Sequence, residues 1–192
     1  MRRLVAFLAS AALPAAPASA QLVEEVRLGV MQHNICVLDC DNAGKEDGPG
    51  ISGELVFASP DFLRVIWSPR PYVVASANLG GDTSFGGAGL QWNWKFADGW
   101  SFEPGLSYVI HDGELSVPFP QGDPRNDVVS RSKVFLGSRD LFRASFALNR
   151  DFSDKWGIQV MHEHLSHGQI LGNGRNQGID NVGVRVIYRL SE

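Results

Sequence analysis

Helical periodicity is nearly absent from this 192-residue sequence, and so are cysteine and any long hydrophobic run beyond the first twenty residues. Without an 18-residue apolar segment there is no transmembrane helix. Two cysteines are too few for a zinc-type centre, and the pair at Cys36 and Cys40 fits a small loop disulfide in an oxidising compartment. Positive charge is also scarce, with 17 Lys and Arg against 21 Asp and Glu, so nothing suggests a nucleic-acid partner. What is present is 44% hydrophobic residues, 10% aromatics and 21 glycines, which rules out wholesale disorder and collagen-like sequence. Composition leaves open whether those apolar side chains fill a core or cover a surface that never meets water.

The N-terminus reads as a secretory leader over residues 1–20. Arg2 and Arg3 form the positive region, an Ala-rich apolar stretch follows, and Ala18-Ser19-Ala20 is a small-residue cleavage site. Residues 21–192 then form one exported domain, and losing two arginines takes its net charge from −4 to −6.

Along that domain the apolar residues recur with period two, the mark of strands with one apolar face. Val182, Val184, Val186, Tyr188 and Leu190 face away from Asn181, Gly183, Arg185 and Arg189. Leu90, Trp92, Trp94 and Phe96 likewise oppose Gln91, Asn93 and Lys95, and Phe102, Leu106, Tyr108 and Ile110 oppose Glu103, Ser107 and His111. Phe142, Ala144, Phe146 and Leu148 oppose Arg143, Ser145 and Asn149. Further runs at 26–32, 53–58, 72–79 and 156–166 bring the number of expected strands to eight. Tight turns at 97–99 and 151–154 alternate with long polar loops at 36–49, 112–131 and 167–179. The expectation is an all-β fold, an eight-stranded antiparallel transmembrane β-barrel with short periplasmic turns and longer extracellular loops.

Such a barrel would turn Glu103, Arg143, Lys95, Gln91, Arg185 and Arg189 into a narrow polar interior, and Trp92, Trp94, Trp100, Tyr108, Trp156 and Tyr188 outward near strand ends. A soluble barrel carrying a hydrophobic ligand would invert the faces, and alternation alone does not choose between them.

The run from His162 to His167 concentrates chemistry on the seventh expected strand. Parity sets His162, His164 and Ser166 on the face of Trp156, Ile158 and Val160, with Gln159, Met161, Glu163 and Leu165 opposite. Polar groups on a lipid-facing wall are costly, which marks them either as functional or as the strand's exit into the head-group region. A histidine two residues before a serine is the minimum for an activated hydroxyl, and Asp180, at the start of the neighbouring last strand, is placed to orient the imidazole. A metal reading of His162, His164, His167 and Glu163 is disfavoured, because Glu163 falls on the other face.

His164-Leu165-Ser166, the Asn176-Gln177-Gly178 loop, Asp180 and the closing Gly183–Leu190 strand resemble the lipid A 3-O-deacylase (PagL), or acyloxyacyl hydrolase, family of outer-membrane barrels, as does the stretch from Leu79 to Trp92. The resemblance implies a serine esterase of the outer membrane, its active site towards the outer leaflet, that removes the ester-linked 3-hydroxyacyl chain at the 3-position of lipid A in lipopolysaccharide. It implies His164 as general base, Ser166 as nucleophile and Asp180 as orienting acid, with no cofactor and no metal. Two residues depart from the family pattern: Asp180 stands where Glu is usual, and His167 where Asn is common. The backbone N–H groups of His167 and Gly168 are then the candidate oxyanion donors. Arg125, Arg131, Lys133 and Arg175 lie where lipid phosphates would be met, although solvated loop charge explains them as well. His33 and His111 read as structural. A non-enzymatic barrel acting in envelope stability or loop-mediated binding remains the alternative, and the oligomeric state, a homodimer included, stays open.

Overall fold

The computed structural model describes residues 22–38 and 40–190; the leader expected over 1–20 lies outside them. Among the described residues nine strand segments run in order: β1 Val23–Gln32, β2 Pro49–Phe57, β3 Arg70–Asn78, β4 Phe85–Gln91, β5 Trp94–Ala97, β6 Trp100–His111, β7 Asp140–Asp151, β8 Trp156–Ser166 and β9 Ile179–Arg189. β4 and β5 are two pieces of one barrel strand, broken at Trp92 and Asn93, and both pair with β6. Every pairing is antiparallel, and β9 returns to pair with β1, so eight strands close on themselves with no free edge.

Side-chain direction settles which face is inside. Leu28, Val30, Ile51, Leu106, Ile110, Val160 and Val186 are each about half or more exposed, whereas Arg27, Glu103, Arg143, Glu163 and Arg185 are buried almost completely. Buried charge is tolerable only when paired and hydrogen-bonded. Here Arg27 donates to Glu54 at 3.0 Å and also meets Glu25 and Glu103, Arg185 meets Glu54 at 2.9 Å, and Arg143 pairs with Glu163 at 2.7 Å while donating to the Tyr72 hydroxyl. A charged, interlocked lumen inside an apolar wall is the pattern of a membrane-spanning barrel and the reverse of a soluble one. Among the described residues no helix is long and apolar enough to cross a membrane; the strands make the crossing.

Trp94, Trp100, Trp156 and Tyr188 form an aromatic rim at the short-turn end, with the Trp156 and Tyr188 rings 4.6 Å apart. At the other end Val134 and Leu136, brought in by the connection between β6 and β7, join Phe85, Val109, Leu141, Leu165 and Ile179 in one apolar cluster. That cluster stops the lumen beneath the long loops. Inside the wall Gly87 and Gly89 let β4 lie against β6, since a Cβ on either would stand about 2 Å from a β6 carbonyl oxygen.

Several expectations from the sequence need correction. Lys95 is exposed at the rim, because β5 continues past the end of the filled lumen, and Arg189 is half-buried there, paired with Glu25 and Asp151. Loop lengths are less regular than the alternating pattern implied. The long-loop rim includes a short connection over 79–84, and the short-turn rim includes a long one over 58–69 that holds a 3-10 turn, Asp61–Ile66. The loop expected at 112–131 contains a helix, α1 Arg125–Ser132. Cys36 and Cys40 are bonded, as the loop-disulfide reading anticipated.

Candidate functional site

β8 and β9 are adjacent antiparallel strands joined by the loop over 167–178, and their register puts His164 directly opposite Asp180. Along β8, burial alternates as parity requires: Gln159, Met161, Glu163 and Leu165 are buried inside, while His162, His164 and Ser166 are half-buried on the outer wall. His164 Nδ1 lies 2.9 Å from Asp180 Oδ1. Because a carboxylate only accepts, the Nδ1 proton is directed at Asp180 and Nε2 is left as the basic nitrogen. Ser166 shares this face two residues along, and no hydrogen bond joins it to His164 in this structure. Thus the histidine and the acid are in contact, and the serine is on the same wall without being engaged.

Asp180 is more heavily coordinated than the sequence suggested. His162 Nε2 also reaches its Oδ1, at 3.0 Å, and the Leu38 N–H donates to Oδ2 at 2.7 Å. Both carboxylate oxygens are therefore occupied, and the residue has no solvent exposure. Strand parity already set His162 beside His164, so its contact with the acid was open to discovery in the sequence. The Leu38 contact, 142 residues away along the chain, left no such trace.

The candidate oxyanion donors part company. The His167 backbone N–H donates to Asn176 Oδ1 at 3.1 Å, and its ring is fixed inside the loop, accepting from the Gln169 N–H at Nδ1 and donating from Nε2 to the Arg175 carbonyl. That commits the His167 amide elsewhere. Gly168 follows it in the left-handed region, φ +62, and is exposed over the Phe142 ring, which is itself paired with Ser166 across the sheet.

The metal reading fails on geometry: Glu163 points inward to Arg143 and Asn181, and His167 turns into its own loop, so the cluster is divided between two faces. Among the cations, Arg125 is held by Asp123 and lies over Phe119, and Lys133 is held by Asp82. Arg131 and Arg175 are exposed, the latter over the Phe135 ring. His33 and His111 are buried, His33 against Glu46 and His111 against the Ser138 carbonyl.

Below the histidines, towards the middle of the wall, lies a shallow apolar groove of about 280 Å³. Phe102, Phe146, Leu148, Val160, His162 and Val182 line it, with the Phe102 and Phe146 rings nearly parallel at 6.3 Å. It opens sideways from the barrel, and nothing but apolar surface borders it away from His162.

No family model and no curated protein matches the sequence. Among solved structures, the crystal structure of the outer membrane enzyme PagL superimposes with a TM-score of 0.59 at 13% identity, covering 85% of this chain and 98% of that one. The Yersinia pestis outer membrane protein Ail, in a phospholipid bilayer nanodisc, gives 0.43 at 11% identity, covering 87% and 99%. The de novo designed TMB2.3 gives 0.42 at 10% identity, covering 91% and 100%. At such identity the PagL superposition speaks for a shared barrel fold.

Proposed function

We propose that this chain is an outer-membrane serine esterase that hydrolyses the ester-linked 3-hydroxyacyl chain at the 3-position of lipid A. The observation that carries the reading is the His164–Asp180 contact on the lipid-facing wall, with Ser166 two residues further along the same face. Eight strands leave a lumen already filled by side chains, so a lipid substrate has to be met from outside. The groove beside His162 is of a chemistry to receive an acyl chain while its ester lies near Ser166.

Ser166 Oγ attacks the acyl carbonyl as His164 Nε2 takes its proton, and buried Asp180 stabilises the imidazolium that forms. His164 then returns the proton to the leaving sugar oxygen, and water, activated by the same nitrogen, releases the fatty acid from Ser166. The Gly168 N–H is the remaining backbone candidate for the oxyanion. Arg131 and Arg175 are the exposed cations available for lipid A phosphates, and the outer leaflet is where such a lipid lies.

The test is incubation of purified protein with lipopolysaccharide, followed by mass spectrometry of lipid A. Wild type should release a 3-hydroxy fatty acid, and Ser166→Ala and His164→Ala should abolish release while heat-modifiable migration of the barrel persists. The unengaged Ser166 hydroxyl favours a second reading, a non-enzymatic barrel that binds through its loops. An unchanged lipid A mass with wild type would support it.

A further inference from the structure

Parity turns Asp180 outward, yet it is wholly buried, because a strap of chain from the first long loop crosses it. The Asn34 N–H donates to Asn181 Oδ1 at 3.1 Å, the Ile35 N–H to the Asp180 carbonyl at 2.8 Å, and the Leu38 N–H to Asp180 Oδ2 at 2.7 Å. Burial does not hold the far end of the strap down, since Val37 is 45% and Leu38 65% exposed. What closes that end is the Cys36–Cys40 disulfide, whose small ring contains Leu38.

We propose that the Cys36–Cys40 loop is a positioning element for Asp180, its ring fixing the Leu38 amide that donates to Oδ2. This rests on the esterase reading. A carboxylate tied by one oxygen cannot rotate away, so its other oxygen stays presented to His162 and His164. An open loop at 36–40 would regain backbone freedom and leave the Leu38 amide to water for part of the time. Oδ1 would then face His164 for less of the time, and the imidazolium formed during catalysis would be held less well.

The experiment compares wild type, oxidised and after dithiothreitol has delivered the two electrons and two protons that convert the disulfide to thiols, with Cys36→Ser/Cys40→Ser, using folded protein in detergent and lipopolysaccharide as substrate. Opening the ring should lower kcat about tenfold, the size expected for losing one hydrogen bond to a charged group, with KM unchanged. Leu38→Pro, which removes the donating N–H and keeps the disulfide, should lower kcat in the same way with KM unchanged. An unchanged kcat with the ring open would overturn the proposal. If the double variant fails to fold, the reduced wild type supplies the comparison. If wild type shows no hydrolysis at all, the esterase reading has failed, and the loop is judged by ¹⁵N spectra of the histidine rings. The His164 Nδ1–H signal should weaken on reduction, and an unchanged spectrum would refute the positioning role.

Discussion

Asp180→Asn changes few atoms and should be among the most damaging substitutions. The Leu38 N–H needs an acceptor, so the asparagine side chain would turn its carbonyl oxygen towards Leu38 and its NH2 towards the two histidines. An NH2 group donates, and His164 Nδ1 would have to accept, which moves the imidazole proton to Nε2. A protonated neutral Nε2 cannot take the proton of Ser166. A tautomer reversal of this kind costs about 10⁴-fold in kcat, or roughly 5 kcal/mol of transition-state stabilisation. The assay is the initial rate of 3-hydroxy fatty acid release from lipopolysaccharide, with KM measured alongside. KM should hardly move, because the groove is untouched, and heat-modifiable migration should match wild type. A variant within tenfold of the wild-type kcat would refute the tautomer argument.

Glu103→Ala should leave Arg27 and Arg70 short of a partner in the lumen and lower barrel stability by about 3–5 kcal/mol, measured by urea titration of the band shift. Val30→Arg, on the outer wall, should cost about 2–4 kcal/mol in the same titration and nothing comparable if the wall faced water. Glu46 joins three loops at the outer rim. Burial pushes its carboxyl up, but hydrogen bonds from His33, from the Thr83 side chain and from the Val134 and Thr83 amides bring it down to about 2. The sign follows from a depressed value: its stabilisation is complete above the usual 4.5 and is lost as pH falls from there towards 2. Limited acid proteolysis should therefore nick the outer loops below pH 4.5 while the barrel survives, and Glu46→Gln should be nicked already at neutral pH.

The barrel was legible because period two is imposed by backbone geometry and the wall needs it on every strand. For the same reason parity alone places His162, His164 and Ser166 on one face, and Asp180 on the matching face of the next strand. Strand ends were less legible: β1 begins at Val23 and β2 at Pro49, earlier than alternation suggested, since pairing partners extend them where the apolar pattern lapses. The break at Trp92 and Asn93 and the short helical turns, Asp61–Ile66 and Arg125–Ser132, are fixed by local tertiary contacts, such as the Trp92 indole N–H donating to the Ile66 carbonyl. The Leu38 amide on Asp180 and the loss of the His167 amide to Asn176 are backbone contacts between distant or irregular segments, where residue identity carries almost no signal.

The central claim is that Ser166 is a nucleophile activated by His164 on the lipid-facing wall. Its most direct test is treatment of the folded protein with a long-chain alkyl sulfonyl fluoride, followed by peptide mass spectrometry to locate the adduct. The account predicts one sulfonylated residue, Ser166, with labelling lost in Ser166→Ala and strongly reduced in His164→Ala. Hydrolysis of lipopolysaccharide with no adduct at Ser166, or labelling undiminished in His164→Ala, would contradict it.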